Sequence, residues 1–144
     1  MSNTLFHIRK ADYLADIALL REIRDQVFVR EQNVPIELEW DDLDPDCDHV
    51  LAIDAQGNTI GTGRLTPAHT IGRMAVLATW RGKGVGDALL LQLIALARQK
   101  QLPSVSLHAQ ITAIGFYQKH GFSTYGTTYL EAGIVHQSMT LALT

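Results

Sequence analysis

The sequence predicts a mixed α+β domain, and three observations carry that prediction. The first half reads as a strand, a helix and three further strands, joined by tight turns with antiparallel neighbours. A glycine-rich turn, Arg81-Gly-Lys-Gly-Val-Gly86, then links an apolar run to a long apolar helix. A further strand-like run, Ser104–His108, follows that helix, and a helical crossover makes the two flanking strands parallel. At 144 residues the chain reads as one domain, 1–144.

Composition narrows the class. Apolar residues make up 47% and charged residues 19%, which suits a folded core rather than a disordered chain. A formal charge of −3 carries no nucleic-acid footprint. No run is long and apolar enough to span a bilayer, and the N-terminus lacks a signal-peptide layout. Cys47 is the single cysteine, so no internal disulfide is possible and a reducing, cytoplasmic location is expected.

The elements follow in order. Leu5–Arg9 reads as the first strand, with Asp12 as the cap of the next helix. From Tyr13 to about Arg30, Leu14, Ile17, Ala18, Leu20, Ile23, Val27 and Phe28 recur at helical spacing and form a core-facing stripe. Arg21, Glu22, Arg24 and Asp25 fall mostly on the other face. Pro35 stops or bends the helix. Residues 37–48 hold seven of the chain's 15 acids and no Lys or Arg. The spacing of Asp42, Asp44, Asp46 and Asp48 fails as a calcium loop, because Cys47 and Ile53 stand where Gly and Glu are required. The segment reads as a solvated acidic loop, or as one whose Asp41, Asp42 and Asp44 border a substrate entrance and attract a cationic amine.

His49–Asp54 and Thr59–Thr66 read as strands joined by a hairpin at Gly57-Asn58. Thr70–Leu77 is the next strand. The helix from about Gly84 to Gln99 is apolar almost all round, so it is expected to be buried on most sides. Pro103 breaks it. Ser104–His108 is a strand, Gly121 ends a short helix, and Phe122–Tyr125 is a short strand.

The turn at residues 81–86 carries the chemistry. Its glycines let the backbone turn sharply and expose N–H groups. The helix that starts there adds unpaired N–H groups and the positive end of its dipole. Arg81 and Lys83 add charge, so the ligand expected is a phosphate or pyrophosphate. The spacing fits neither a Walker loop nor a dinucleotide fingerprint.

Arg-x-x-Gly-x-Gly after a strand resembles the pyrophosphate loop of the GNAT acetyltransferases. Leu107-His-Ala-Gln110, followed by Ala113-x-x-Phe-Tyr117-x-x-x-Gly-Phe122, resembles the second signature of that family. Tyr129-Leu-Glu-x-Gly-Ile-Val-His136 with Met139, and Phe28-Val-x-Glu-Gln32, resemble the ElaA-type branch and glyphosate N-acetyltransferase. The resemblance covers nearly the whole chain.

The resemblance implies the acyl-CoA N-acyltransferase fold, β-α-(α)-β-β-β-α-β-α-β-β, with acetyl-CoA in a gap between the fourth and fifth strands. Met74, Ala75 and Val76 would pair with the pantetheine arm. The N–H groups of Gly82, Lys83, Gly84, Val85 and Gly86 would hold the pyrophosphate, with Arg81 and Lys83 as charge partners, and Gln110 would face the coenzyme arm. Tyr117 takes the general-acid slot, and Val76 N–H is the candidate donor to the thioester carbonyl. His136 stands where glyphosate N-acetyltransferase has its base, although Val135 replaces the Pro that often precedes it. Glu31 is the competing base. Trp40, Tyr125, Tyr129 and Glu131 are candidates for the acceptor pocket.

The activity implied is acetyl transfer to an amine of a small molecule or peptide, by direct attack and without a Cys47 acetyl-enzyme. The alternative is a catalytically silent module that binds coenzyme A. A nucleotide-phosphate binder is the third reading. No metal site is expected, because His49, His108 and His120 lack ligand spacing. A homodimer is possible by family habit.

Overall fold

The structure, a computed structural model, describes residues 5–34 and 44–144. Pro35, Trp40, Asp41 and Asp42 lie outside the described residues. In chain order the elements are β1 (Phe6–Lys10), α1 (Tyr13–Arg24), a π-helical segment (Asp25–Glu31), β2 (Asp48–Asp54) and β3 (Thr59–Leu65). Then follow β4 (Thr70–Val76), α2 (Val85–Gln99), β5 (Ser104–Gln110), α3 (Ile114–Lys119), β6 (Ser123–Glu131) and β7 (Ile134–Ala142). They form one seven-stranded sheet in the order β1-β2-β3-β4-β5-β7-β6. Every neighbouring pair is antiparallel except β4 and β5.

The predicted order of elements matches the structure, with differences that have physical causes. The first helix does not run as an α-helix to Arg30. It widens at Asp25, where Gln32 N–H bonds Val27 O at 3.0 Å, five residues back. Asp12 occupies the cap position but does not cap with its side chain; its own N–H donates to Asp16, whose carboxylate also grips Arg9 at 2.9 Å. Leu14 is 83% exposed and Ala18 is also exposed, so the apolar stripe narrows to Leu20, Ile23 and Val27. Arg24 lies on the buried face instead of the solvent face. The last two strands, β6 and β7, form a longer hairpin than Phe122–Tyr125 predicts.

α2 packs on one sheet face, where Val85, Leu89, Leu90, Leu93, Ile94, Leu96 and Ala97 join Val50, Ala52, Ile60, Ile71, Val105, Leu107 and Met139. Each fully buried Leu there contributes roughly 1.5–3 kcal/mol. Its outer side is open, with Leu91 55% exposed, so the helix is buried on one broad face rather than on most sides. α1 covers β2 on the other face, through Leu20 against Leu51 and Ile53.

Gly61 of β3 sets how closely α2 approaches. A Cβ there would stand 3.0 Å from Ala75 O, 3.0 Å from Leu89 Cδ1 and 3.2 Å from Val85 Cγ1. Gly61→Ala is therefore expected to cost about 1–3 kcal/mol by overpacking. Chemical denaturation checks this, and because the contacts include the first turn of α2, ligand binding at that turn should weaken as well.

Candidate functional site

β4 and β5 part company early. They pair only at Thr70 with Ser106 and at Ile71 with Leu107. Arg73 follows with φ +50°, and the β3–β4 register shifts opposite it, between Thr62 and Arg64. A bulge of this kind bends its strand. It turns Met74, Ala75 and Val76 away from β5 and leaves a gap. Leu77 N–H donates to Ile60 O at 2.9 Å, so its polar groups face β3. Strand alternation turns those of Val76 the opposite way, and Val76 O accepts from Arg81 Nε at 3.0 Å. Val76 N–H therefore faces the gap, an open edge where an extended ligand can pair.

At the end of β4 a 3₁₀ turn, Ala78–Trp80, leads into the glycine loop. Gly82 and Gly84 have φ of +76° and +86°, a left-handed conformation that glycine adopts without steric penalty. Gly84 is the N-cap of α2, and the first helical bond runs from Ala88 N–H to Gly84 O at 3.1 Å. The N–H groups ahead of it have no place in the helical ladder. Val85 is buried under the helix, while residues 81–84 are exposed. The loop thus offers a concave set of amides at a positive helix end, the geometry that suits a phosphate. Lys83 extends over the Trp80 ring, 5.2 Å from its centroid. Gly86 faces Phe116, whose ring a Cβ would meet at 3.5 Å.

Arg81 is engaged differently from a free phosphate partner. Besides Val76 O, its guanidinium bonds both oxygens of Glu31, at 2.5 and 2.7 Å. The Arg81 hydrogen bond holds the Glu31 carboxyl below its usual pKa. A base needs affinity for a proton, so this pairing works against Glu31 in the base role. It also neutralises Arg81, leaving Lys83 as the unneutralised cation of the loop in the described geometry. A groove of about 400 Å³ lies beside this pair, lined by Gln26, Val27, Arg30 and Glu31 on one side and Leu77, Ala78 and Thr79 on the other.

Tyr117, on α3, packs on the α2 side of the sheet against Phe116 and Phe122. Its hydroxyl lies 3.9 Å from Met74 Sδ. Burial pushes the phenol up to about 12. α3 is tied to the loop helix through Asp87, which accepts from His120 at 2.6 Å and Lys119 at 3.0 Å.

Gln110 and His136 face each other across β5 and β7. Ala109, next to Gln110, and Met139, three residues on from His136, are in the α2-side core, so both side chains belong to the opposite face. Nδ1 of His136 lies 2.7 Å from Ile134 O. A carbonyl only accepts, so Nδ1 carries the hydrogen, and in the neutral ring the lone pair is on Nε2. Glu131 is 3.6 Å from that Nε2, and the Tyr129 ring stacks on the imidazole at 6.0 Å. Tyr129 in turn bonds His108 through its hydroxyl. Tyr125 is 51% exposed, farther along β6. Tyr117 and His136 thus come from the two faces of the sheet.

Sequence reasoning missed the buried cluster beneath α1. Asp44 accepts from Arg24 at 2.8 Å and from Arg64 at 2.7 Å, and His49 donates to Asp44 O at 2.8 Å. Asp44 is 4% exposed, so it is neither solvated nor free to attract an amine. Asp48 is also engaged, by Lys10 and Lys100. Arg24 and Arg64 each lie 20 residues from Asp44, and no local pattern signals them.

This is the architecture of an acyl-CoA N-acyltransferase. Residues 23–143 match the family model of the acetyltransferase (GNAT) domain, and the chain belongs to that family and is an acyltransferase. An uncharacterized N-acetyltransferase of Bacillus subtilis (strain 168), YjcF, is 36% identical over 121 residues, covering 81% of this chain and 86% of its own. The crystal structure of Escherichia coli ElaA is similar, with a TM-score of 0.83 at 26% identity, covering 94% of this chain and 98% of that one. So is an acyl-CoA N-acyltransferase from Pseudomonas aeruginosa, with a TM-score of 0.84 at 29% identity and coverage of 95% and 99%.

Proposed function

We propose that the protein transfers an acetyl group from acetyl-CoA to an amine by direct attack, with both substrates bound together. The observation that carries this reading is the open edge of β4 at Met74–Val76, leading straight into the amide cradle at Gly82–Gly86. The residues present fit the coenzyme: an extended arm can pair with β4, and a diphosphate suits the N–H groups of Gly82 to Gly86 with Lys83 beside them. Met74, Ala75 and Val76 line the arm, Arg81 fixes the loop entrance, and Gln110 faces the gap from β5. When bound, acetyl-CoA supplies the acetyl group as an activated thioester.

The chain's residues do the rest. Val76 N–H donates to the carbonyl oxygen as negative charge develops there, and one such donor is worth roughly 3–4 kcal/mol. His136 Nε2 takes the proton from the attacking ammonium, and Glu131 stabilises the imidazolium that results. As nitrogen bonds to carbon and the carbon–sulfur bond breaks, Tyr117 hydrogen-bonds the leaving sulfur, and the second nitrogen proton ends on that sulfur, so the coenzyme leaves as free thiol. A phenol near 12 stays protonated through the working pH range, above a thiol's reference value of about 8.5, so it acts foremost as a hydrogen-bond donor. Cys47 takes no part in this scheme.

Release of free thiol from acetyl-CoA across a panel of amines tests the reading. The expected outcome is amine-dependent release, reduced about 10²–10⁴-fold in His136→Ala with coenzyme affinity retained. Coenzyme binding without release for any amine would favour the silent binding module.

A further inference from the structure

We infer that Glu31 and Gln32, two consecutive residues, form a clip across the open end of the β4–β5 gap. The inference rests on the acetyl-transfer reading above but concerns what holds the gap to width. Glu31 reaches the β4 lip, where both its oxygens hold Arg81 and Arg81 holds Val76 O. Gln32 reaches the β5 lip, where its Oε1 accepts from Gln110 Nε2 at 3.0 Å. Beyond Ile71 and Leu107, β4 and β5 share no backbone pairing, so these side chains join the two lips where the strands no longer do.

The π-helical segment makes this possible. Consecutive residues on a helix point in different directions, so their side chains diverge toward different partners. The widened turn closes with Gln32 N–H on Val27 O and Val34 N–H on Phe28 O, and Asn33 then takes φ +60°. The chain therefore leaves the helix immediately after presenting the pair. Both are positioning residues. The Glu31 arm fixes the entrance to the amide cradle, and the Gln32 arm fixes Gln110, which stands directly across from His136.

Two views of Glu31 predict opposite results. If it acted only through charge, removing it would free Arg81 and tighten the hold on an anionic coenzyme. If it is half of a clip, removing it releases the loop and weakens that hold. The test measures coenzyme A binding by calorimetry, and kcat and KM with a turned-over amine, for Glu31→Ala, Gln32→Ala, Gln110→Ala and the Gln32→Ala/Gln110→Ala double variant. Thermal melts confirm folding, which is safe at Glu31 because it is exposed.

The clip predicts coenzyme A binding about fivefold or more weaker in Glu31→Ala. It predicts kcat down about tenfold in Gln32→Ala, with coenzyme affinity within about twofold. The double variant should be no worse than the more damaging single, because both changes cut the same contact. Tighter binding in Glu31→Ala, unchanged kcat in Gln32→Ala, or additive losses in the double variant would each overturn it. Failure of the acetyl-transfer reading would show separately, as wild-type protein that releases no thiol, and the binding arm of the test would still stand.

Discussion

Asp44→Asn is expected to lower the unfolding free energy by about 3–5 kcal/mol, the cost of breaking a buried ion pair by removing one partner. The carboxylate sits between two guanidiniums whose side chains are 2% and 7% exposed. Asparagine keeps the shape and loses the charge that both of them share. For a chain of this size the loss corresponds to a melting temperature roughly 10 °C lower or more, which calorimetry would read directly. The pH dependence adds a second readout. Burial alone would raise the Asp44 pKa, but hydrogen bonds and charges from Arg24 and Arg64 more than offset it, so the folded value lies below 3.8. The stabilisation is therefore present above about 3.8 and is lost as pH falls through the folded value. His49 shifts downward too, mainly through burial. Its folded form resists protonation, so it adds a loss that begins as pH falls through about 6.5. In Asp44→Asn the share of the acid loss that Asp44 carries should disappear, leaving that of Asp16, Glu31, Asp54 and Asp87, while the upper step persists.

The second large effect is Tyr117→Phe. It should lower kcat about 10²-fold or more while leaving coenzyme affinity within about threefold. The reason is positional: the ring packs in the core against Phe116 and Phe122, and phenylalanine keeps that packing. Only the hydroxyl near Met74 is lost. Because burial holds the phenol near 12, the wild-type rate should show no alkaline fall from Tyr117 ionisation up to about pH 11. Unchanged kcat in Tyr117→Phe would remove this residue from the mechanism.

Local pattern made much of the architecture legible. Helical periodicity, the Gly57-Asn58 hairpin and the glycines around Gly84 each depend on nearby residues, so element order and the glycine turn at the start of α2 could be read directly. What escaped depends on distant partners. Arg24 reads as a surface residue until Asp44, 20 positions on, is folded against it. Glu31 reads as a competing base, and its pairing with Arg81, 50 positions on, has no local signal. The bulge that opens the gap sits on Arg73, a residue type that gives no hint of a positive φ. The widening of the first helix also leaves no periodic signature, since its apolar residues fit an α-helix equally well.

The most direct measurement is a calorimetric titration with coenzyme A alone. Saturable binding at one site per chain is expected, with a dissociation constant below about 100 μM. It should weaken as salt rises, and also in Lys83→Ala and in Gly84→Ala, where a side chain would be forced into the left-handed region. A titration that shows no heat and no saturation at millimolar coenzyme would contradict the account, because an open β4 edge beside a ready amide cradle would then hold nothing.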